Sequence, residues 1–150
     1  MHSIKAAALA LAALVAAGCA SSSSPGETAR PEVTLRQLSA VPDFNVTSAS
    51  GIPMHFELTI TNPLHRVVRL VSVEVESVGQ SGAYAMKRVR HAFDVEIAPG
   101  ARQSIEFRAW VQPLQQDIRG DVNAPVLIRG QARFASDRGV VRSNFVGRGQ

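Results

Sequence analysis

The 150-residue chain contains a single cysteine, Cys19. An intrachain disulfide is therefore excluded, and so is a zinc site built on two thiolates. Aromatic residues are scarce at 5% of the chain, with six Phe, one Tyr and one Trp. No apolar run reaches the ~18–20 residues that a membrane-spanning helix needs. There is no Gly-x-Ser-x-Gly elbow and no glycine loop of the kind that cradles phosphate. Lysine is almost missing, because 14 of the 16 basic residues are arginine. The net charge is +4, and +3 without Lys5. The arginines run from Arg30 to Arg148 with acidic residues among them. Nucleic-acid binding gathers its basic residues on one face, so it is not expected here. What the chain does have is 45% apolar residues. That is material for a core, and global disorder is not expected.

The first residues carry an address. Met1 to Lys5 is short and basic, and Ala6 to Ala17 is an Ala/Leu-rich run of secretory-signal length, too short to span a bilayer. It ends in Ala16-Ala17-Gly18-Cys19, which resembles the bacterial lipobox, with Ala16 where leucine is usual. The resemblance implies cleavage before Cys19 and a diacylglyceryl group on its sulfur. Residues 1–18 are then a removed signal peptide, and acyl chains are the only non-protein group expected. Each buried methylene contributes about 0.8 kcal/mol, so two or three chains anchor stably. Resemblance to other lipoproteins also implies an address: neither Ala20 nor Ser21 is the aspartate that retains some of them in the inner membrane. The outer membrane, periplasmic side, is expected. Residues 19–31 are rich in Ser, Pro and Gly and read as a lipidated Cys followed by a flexible tether.

From Glu32 the periodicity is that of strands. Val33, Leu35 and Leu38 begin the first, and Phe56-Glu57-Leu58-Thr59-Ile60-Thr61 alternates cleanly. Asn62-Pro63 ends that run, since proline cannot donate to a ladder. Val71, Val73 and Val75 share a face opposite Ser72, Glu74 and Glu76. The preceding residues are out of phase, which predicts a bulge near Arg69-Leu70. Gly79–Gly82 is a turn, and Ala83–Arg90 is expected to be a weak edge strand whose charges discourage pairing. Phe93, Val95 and Ile97 alternate, and Ala98-Pro99-Gly100 turns the chain. Ile105, Phe107, Ala109 and Val111 point one way and Trp110 the other. Pro113–Ala124 has no clear period, with room for one helical turn at Pro113–Ile118. Val126, Ile128, Gly130, Ala132 and Phe134 form the next face, Asp137-Arg138-Gly139 a hairpin turn, and Val141 and Phe145 the last face. Seven or eight strands without alternating helices predict an all-β fold. The expected form is one antiparallel β-sandwich of immunoglobulin/fibronectin-III style over residues 32–147.

Phe56-Glu-Leu-Thr-Ile-Thr-Asn-Pro63, Leu70–Glu76, Val95–Gly100 with Ser104–Phe107, and Val126–Gly130 with Phe134 resemble the strands and turns of group 2 late-embryogenesis-abundant domains. These are also called water stress and hypersensitive response (WHy) domains. The resemblance implies a sandwich without a catalytic site, a link to desiccation and other stress, and shielding of client proteins in some members. Asn62, Pro63, Pro99 and Gly100 are carried over as structural turn residues.

Catalytic or metal constellations are not expected. His55, His65 and His91 lie 10 and 26 residues apart. Asp117 and Asp121 read as loop carboxylates, and Asn45-Val46-Thr47 has no force as a glycosylation site in a bacterial lipoprotein. Glu74 and Glu76 face water, where Arg129 or Arg133 can pair with them. The densest basic stretch, Lys87-Arg88-Val89-Arg90-His91, is either a solvated edge or a contact for anionic headgroups. Trp110 is either covered by a loop or tether or marks a contact surface. The expectation is a non-enzymatic, membrane-anchored periplasmic lipoprotein of stress type that binds clients or the membrane surface weakly. The alternatives are an accessory lipoprotein with one envelope partner and a carrier of an apolar ligand.

Overall fold

Among the described residues the β-branched alternation folds into eight strands. In the computed structural model, residues 29–40, 51–79, 82–114 and 124–149 are described. The strands are β1 (Glu32–Gln37), β2 (Ile52–Thr61), β3 (Val68–Val78), β4 (Tyr84–Ala85), β5 (Val89–Ile97), β6 (Arg102–Pro113), β7 (Val126–Ser136) and β8 (Gly139–Gly149). Among the described residues there is no helix. The strand order is β4-β6-β2-β1-β8-β7-β3-β5. Every pairing is antiparallel except that of β1 with β8, which is parallel through Arg36 opposite Arg148. The sheet is therefore mixed, which corrects the expectation of a purely antiparallel arrangement. Residue periodicity reports which face a side chain takes, and it is silent on which strand lies alongside.

The sheet curls around its apolar face. β2 and β6 pair over ten residues, Ile52 opposite Val111 through Thr61 opposite Arg102. Met54, Phe56, Leu58 and Ile60 are fully buried beside Phe107, Ala109 and Val111. Phe56 stacks on Phe107 with ring centroids 5.6 Å apart. Val68, Leu70, Val73, Val75, Ile128, Ala132 and Phe134 supply the facing half of the core. Each large apolar side chain buried this way contributes roughly 1.5–3 kcal/mol. At the open side β5 meets β6 through side chains: Phe93 sits edge-on to Phe107 at 6.4 Å and His91 lies 4.8 Å from the same ring.

Several local expectations hold. The phase break in β3 is a one-residue register shift between Leu70 and Ser72, seen against both β5 and β7. It moves the buried set from Val68 and Leu70 to Val73 and Val75. The hairpin at Asp137-Arg138 closes with Ser136 opposite Gly139. Others need correcting. Ala83–Arg90 is not one strand: Tyr84–Ala85 pairs with the end of β6, and Val89 begins β5 on the opposite edge of the sheet. Tyr84 is the reason, since its buried ring pulls this short stretch inward and its hydroxyl donates to Gln37 Oε1 at 2.6 Å. The expected tether ends before Pro31. Ala29 packs on the core, and Ser143 Oγ donates to the Pro31 carbonyl at 2.6 Å. β8 runs to Gly149, past the expected boundary at 147. Leu38 lies beyond β1 and is exposed. Asn45, Asp117, Asp121 and most of Pro113–Ala124 lie outside the described residues.

Close strand approach is bought with glycine at one end of β8. A Cβ on Gly147 would meet Leu35 Cβ at 2.7 Å, and one on Gly149 would meet Gln37 Oε1 at 2.6 Å. A side chain at Gly147 would push β1 away, and one at Gly149 would displace the Tyr84 hydroxyl and the Gln37 side chain. Gly130 plays the same part inside the sheet, where the Phe145 ring of the neighbouring strand lies directly over it.

Candidate functional site

The outer face of β3, β7 and β8 carries the densest polar constellation among the described residues. Alternation places Glu74 and Glu76 on β3, Arg129 and Gln131 on β7, and Asn144 and Val146 on β8 on this face. Glu76 is the hub. Arg88 grips it with Nη2 to Oε1 at 2.9 Å and Nε to Oε2 at 3.3 Å, and Arg129 Nε donates to Oε1 at 2.6 Å. Arg88 Nε also lies 3.4 Å from Glu74. Hydrogen bonds from the two arginines, Arg88 first, hold the Glu76 carboxyl down at about 2, well below the usual carboxylate range. The same contacts push the Arg88 guanidinium higher. Gln131 Nε2 donates to Asn144 Oδ1 at 3.0 Å in the adjoining row.

These residues, with Val146 and the backbone at Gly130 and Phe145, line an open cleft of about 610 Å³. Val146 is 68% exposed on its wall. The cleft offers both charge signs and amide groups to a polar ligand. It lies on the outside of the sheet, not within the core.

The residues singled out from sequence fall in different places. Cys19 lies outside the described residues. Asn62 is fully buried. Its Nδ2 donates to the carbonyls of Arg66 (2.8 Å), Ile97 (3.0 Å) and Ala98 (3.1 Å), and its Oδ1 accepts from Leu64 N–H at 3.1 Å. Its backbone accepts from Gly100 N–H and donates to Ala101 O. One side chain thus clamps the β2–β3 loop to the Pro99-Gly100 turn, where Gly100 has φ = 68°. Pro63 and Pro99 are exposed beside it. Trp110 is 58% exposed opposite Pro53 on the outer face of β6. Lys87 is exposed, Arg88 is committed to Glu76 and Glu74, and Arg90 donates to Ser72 Oγ at 3.2 Å. The basic stretch is therefore not one free patch. Arg129 pairs with Glu76 as anticipated, whereas Arg133 has no carboxylate partner among the described residues.

The histidines are not brought together as a metal centre, and no group of three potential metal ligands occurs among the described residues. His91 is half-buried against Phe93 and Phe107, and burial holds its imidazole below the ordinary histidine range. Sequence reasoning missed the role of Gln131 and Asn144. Their polarity on the solvent face carried no signal until β7 and β8 were placed in register.

No protein-family model matches the chain, and a search of the curated proteins found no match. Among solved structures, the structural-genomics target SoR45 resembles it with a TM-score of 0.44 and 15% identity, covering 81% of this chain and 81% of that one. A Bordetella pertussis protein provisionally called ApaA resembles it with a TM-score of 0.44 and 18% identity, covering 78% of this chain and 89% of that one. At these scores neither likeness bears on function.

Proposed function

We propose that the protein is a non-enzymatic, lipid-anchored periplasmic lipoprotein of the outer membrane, with a WHy-type domain that binds client proteins or the membrane surface weakly under stress. The observation that carries this reading is Ala16-Ala17-Gly18-Cys19 followed, after nine intervening residues, by a folded β domain that begins at Ala29. A cleaved and acylated Cys19 then holds that domain within at most ~35 Å of the lipid, the full extension of the intervening chain. The strand order supports an immunoglobulin-like sandwich within this reading. It divides at the single parallel contact into β4-β6-β2-β1 and β8-β7-β3-β5, and Phe56, Phe107 and Phe134 lie between the halves. The Asn62 clamp at the end of the Phe56–Pro63 segment is of the structural kind that the family resemblance implies.

The test uses the full chain. Wild type is expected to incorporate labelled palmitate and to sediment with outer membranes, and Cys19→Ser is expected to do neither. The purified lipoprotein in detergent is then heated with a labile enzyme and compared with an equal mass of an unrelated β-sandwich protein. Protection no better than that control removes the shielding role and leaves the anchor standing. Exposed Trp110 favours a second reading, an accessory lipoprotein with one specific envelope partner. Crosslinking through position 110 to a single species supports it. The carrier reading gains nothing from the cleft, which lies outside the core.

A further inference from the structure

One row across the outer face is electrostatically unbalanced. Arg133 on β7 stands directly opposite Arg142 on β8, and Arg133 is also opposite Ser72 on β3. Opposed residues in an antiparallel pair hold their Cβ atoms about 5 Å apart, and like charges placed so repel. Arg90 reaches the same row from β5, with Nη2 on Ser72 Oγ at 3.2 Å. Ser72 is only 6% exposed although it lies on the solvent face. The Arg133 Nε is buried without a hydrogen-bond partner. Among the described residues no carboxylate pairs with Arg90, Arg133 or Arg142. Glu74, opposite Arg90, pairs with Arg88, and Asp94 pairs with Arg69. Arg133 and Arg142 thus share one outer row and Arg90 reaches it, all three without a carboxylate partner among the described residues, next to a cleft that begins one row away at Gln131 and Asn144.

We propose that Arg90, Arg133 and Arg142 form a binding site for a phosphate group, with the adjoining cleft taking the remainder of a phosphoester. The guanidinium fork matches the oxygen spacing of phosphate, and charge-assisted hydrogen bonds of this kind are the strong ones. An anion would satisfy the buried Arg133 Nε and cancel the repulsion between strands. The site stands on these contacts alone and does not depend on the lipoprotein reading.

The test is calorimetric titration of the full mature chain in neutral detergent. One arm uses inorganic phosphate and pyrophosphate. The other uses short-chain phosphatidylglycerol, with the matching phosphatidylcholine as its zwitterionic control. Saturable one-to-one binding is expected in at least one arm, weakened at least tenfold by Arg133→Gln and by Arg142→Gln. Arg102→Gln, an exposed arginine on the other half of the sheet, should leave it unchanged. Arg142→Gln should also raise the melting temperature without ligand while abolishing the rise that pyrophosphate causes. Tighter binding of the phosphatidylglycerol assigns the site to a headgroup, and tighter binding of the inorganic anions assigns it to a free phosphate. The proposal is overturned if wild type shows no saturable binding in either arm, or if both substitutions leave binding intact.

Discussion

Replacing Asn62 by alanine removes four hydrogen bonds from a fully buried position. Their worth differs with surroundings. The bonds to Ile97 O and from Leu64 N–H are buried, whereas those to Arg66 O and Ala98 O are only partly so. A buried group left unsatisfied costs about 1–3 kcal/mol, and a carbonyl that water can reach costs far less. The two buried partners therefore set the loss at about 3 kcal/mol. Part of a residual cavity adds to it, and water entering the gap subtracts. For a domain of this size that corresponds to a fall of roughly 10 °C in melting temperature. Urea unfolding followed by far-ultraviolet circular dichroism measures it; Trp110, already exposed, is a poor reporter. Asn62→Asp keeps the shape, but its carboxylate faces three carbonyls and has no donors. It should lose at least as much at neutral pH and recover in part on acidification as the carboxyl protonates. Pro63→Ala, exposed beside the clamp, should cost under ~1 kcal/mol. If Asn62→Ala loses less than about 1 kcal/mol with an unchanged denaturant slope, the clamp is not what holds the two loops together.

Gly130→Ala should cost roughly 1–3 kcal/mol by driving a methyl into the Phe145 ring, and thermal unfolding of Gly130→Ala with Phe145→Leu should recover part of that loss. Tyr84 is the sole tyrosine, and burial raises its hydroxyl well above the ordinary phenol range, so tyrosinate absorbance should stay flat a full unit above pH ~10 in the folded protein and titrate normally in urea. Because the unfolded chain loses that proton first, stability should fall as pH rises past ~10, and Tyr84→Phe should flatten the fall. His91 has the opposite window: its lowered pKa means the unfolded chain binds a proton first as pH drops below ~6.5, so stability is full above that pH and is lost below it. Denaturation midpoints compared near pH 7.5 and 5.5 should converge in His91→Leu. Trp110→Ser should leave thermal stability within about 0.5 kcal/mol, since the ring contributes little to the core.

The strands were readable because each keeps its apolar residues two apart, and even the slip in β3 showed as a change of phase before Val71. Asn62 was readable as a turn residue, although its reach across to Ile97 and Ala98 was not, because those partners are 35 and 36 residues away. What the period could not supply was adjacency. The parallel contact of Arg36 with Arg148 depends on Gly147 and Gly149 leaving room for Leu35 and Gln37. Phe145-x-Gly147-x-Gly149 on a single face is the signal that marked it, since glycine at alternate positions of a strand points to close backbone approach. The split of Ala83–Arg90 followed from Tyr84, whose polar tip allowed either a solvent-facing or a buried ring.

The candidate functional face emerges only with the register. Glu74 and Glu76 were legible as solvent-facing, and arginine partners for them could be named, but the choice between Arg129 and Arg133 was set by pairing. β3 puts Glu76 opposite Arg129 and Ser72 opposite Arg133. A one-residue difference in the bulge between Leu70 and Ser72 would exchange the faces of β3 on one side of it and leave Glu76 without its partner. The bulge therefore does more than restore the core phase. It delivers Glu76 to Arg129, neutralising that row, and leaves Ser72, which has no charge, beside Arg133. The unbalanced arginines are the consequence of where the core required β3 to slip. Binding of an anion at that row and integrity of the core are thus coupled through Leu70–Ser72, and a deletion of Val71 should disturb both together.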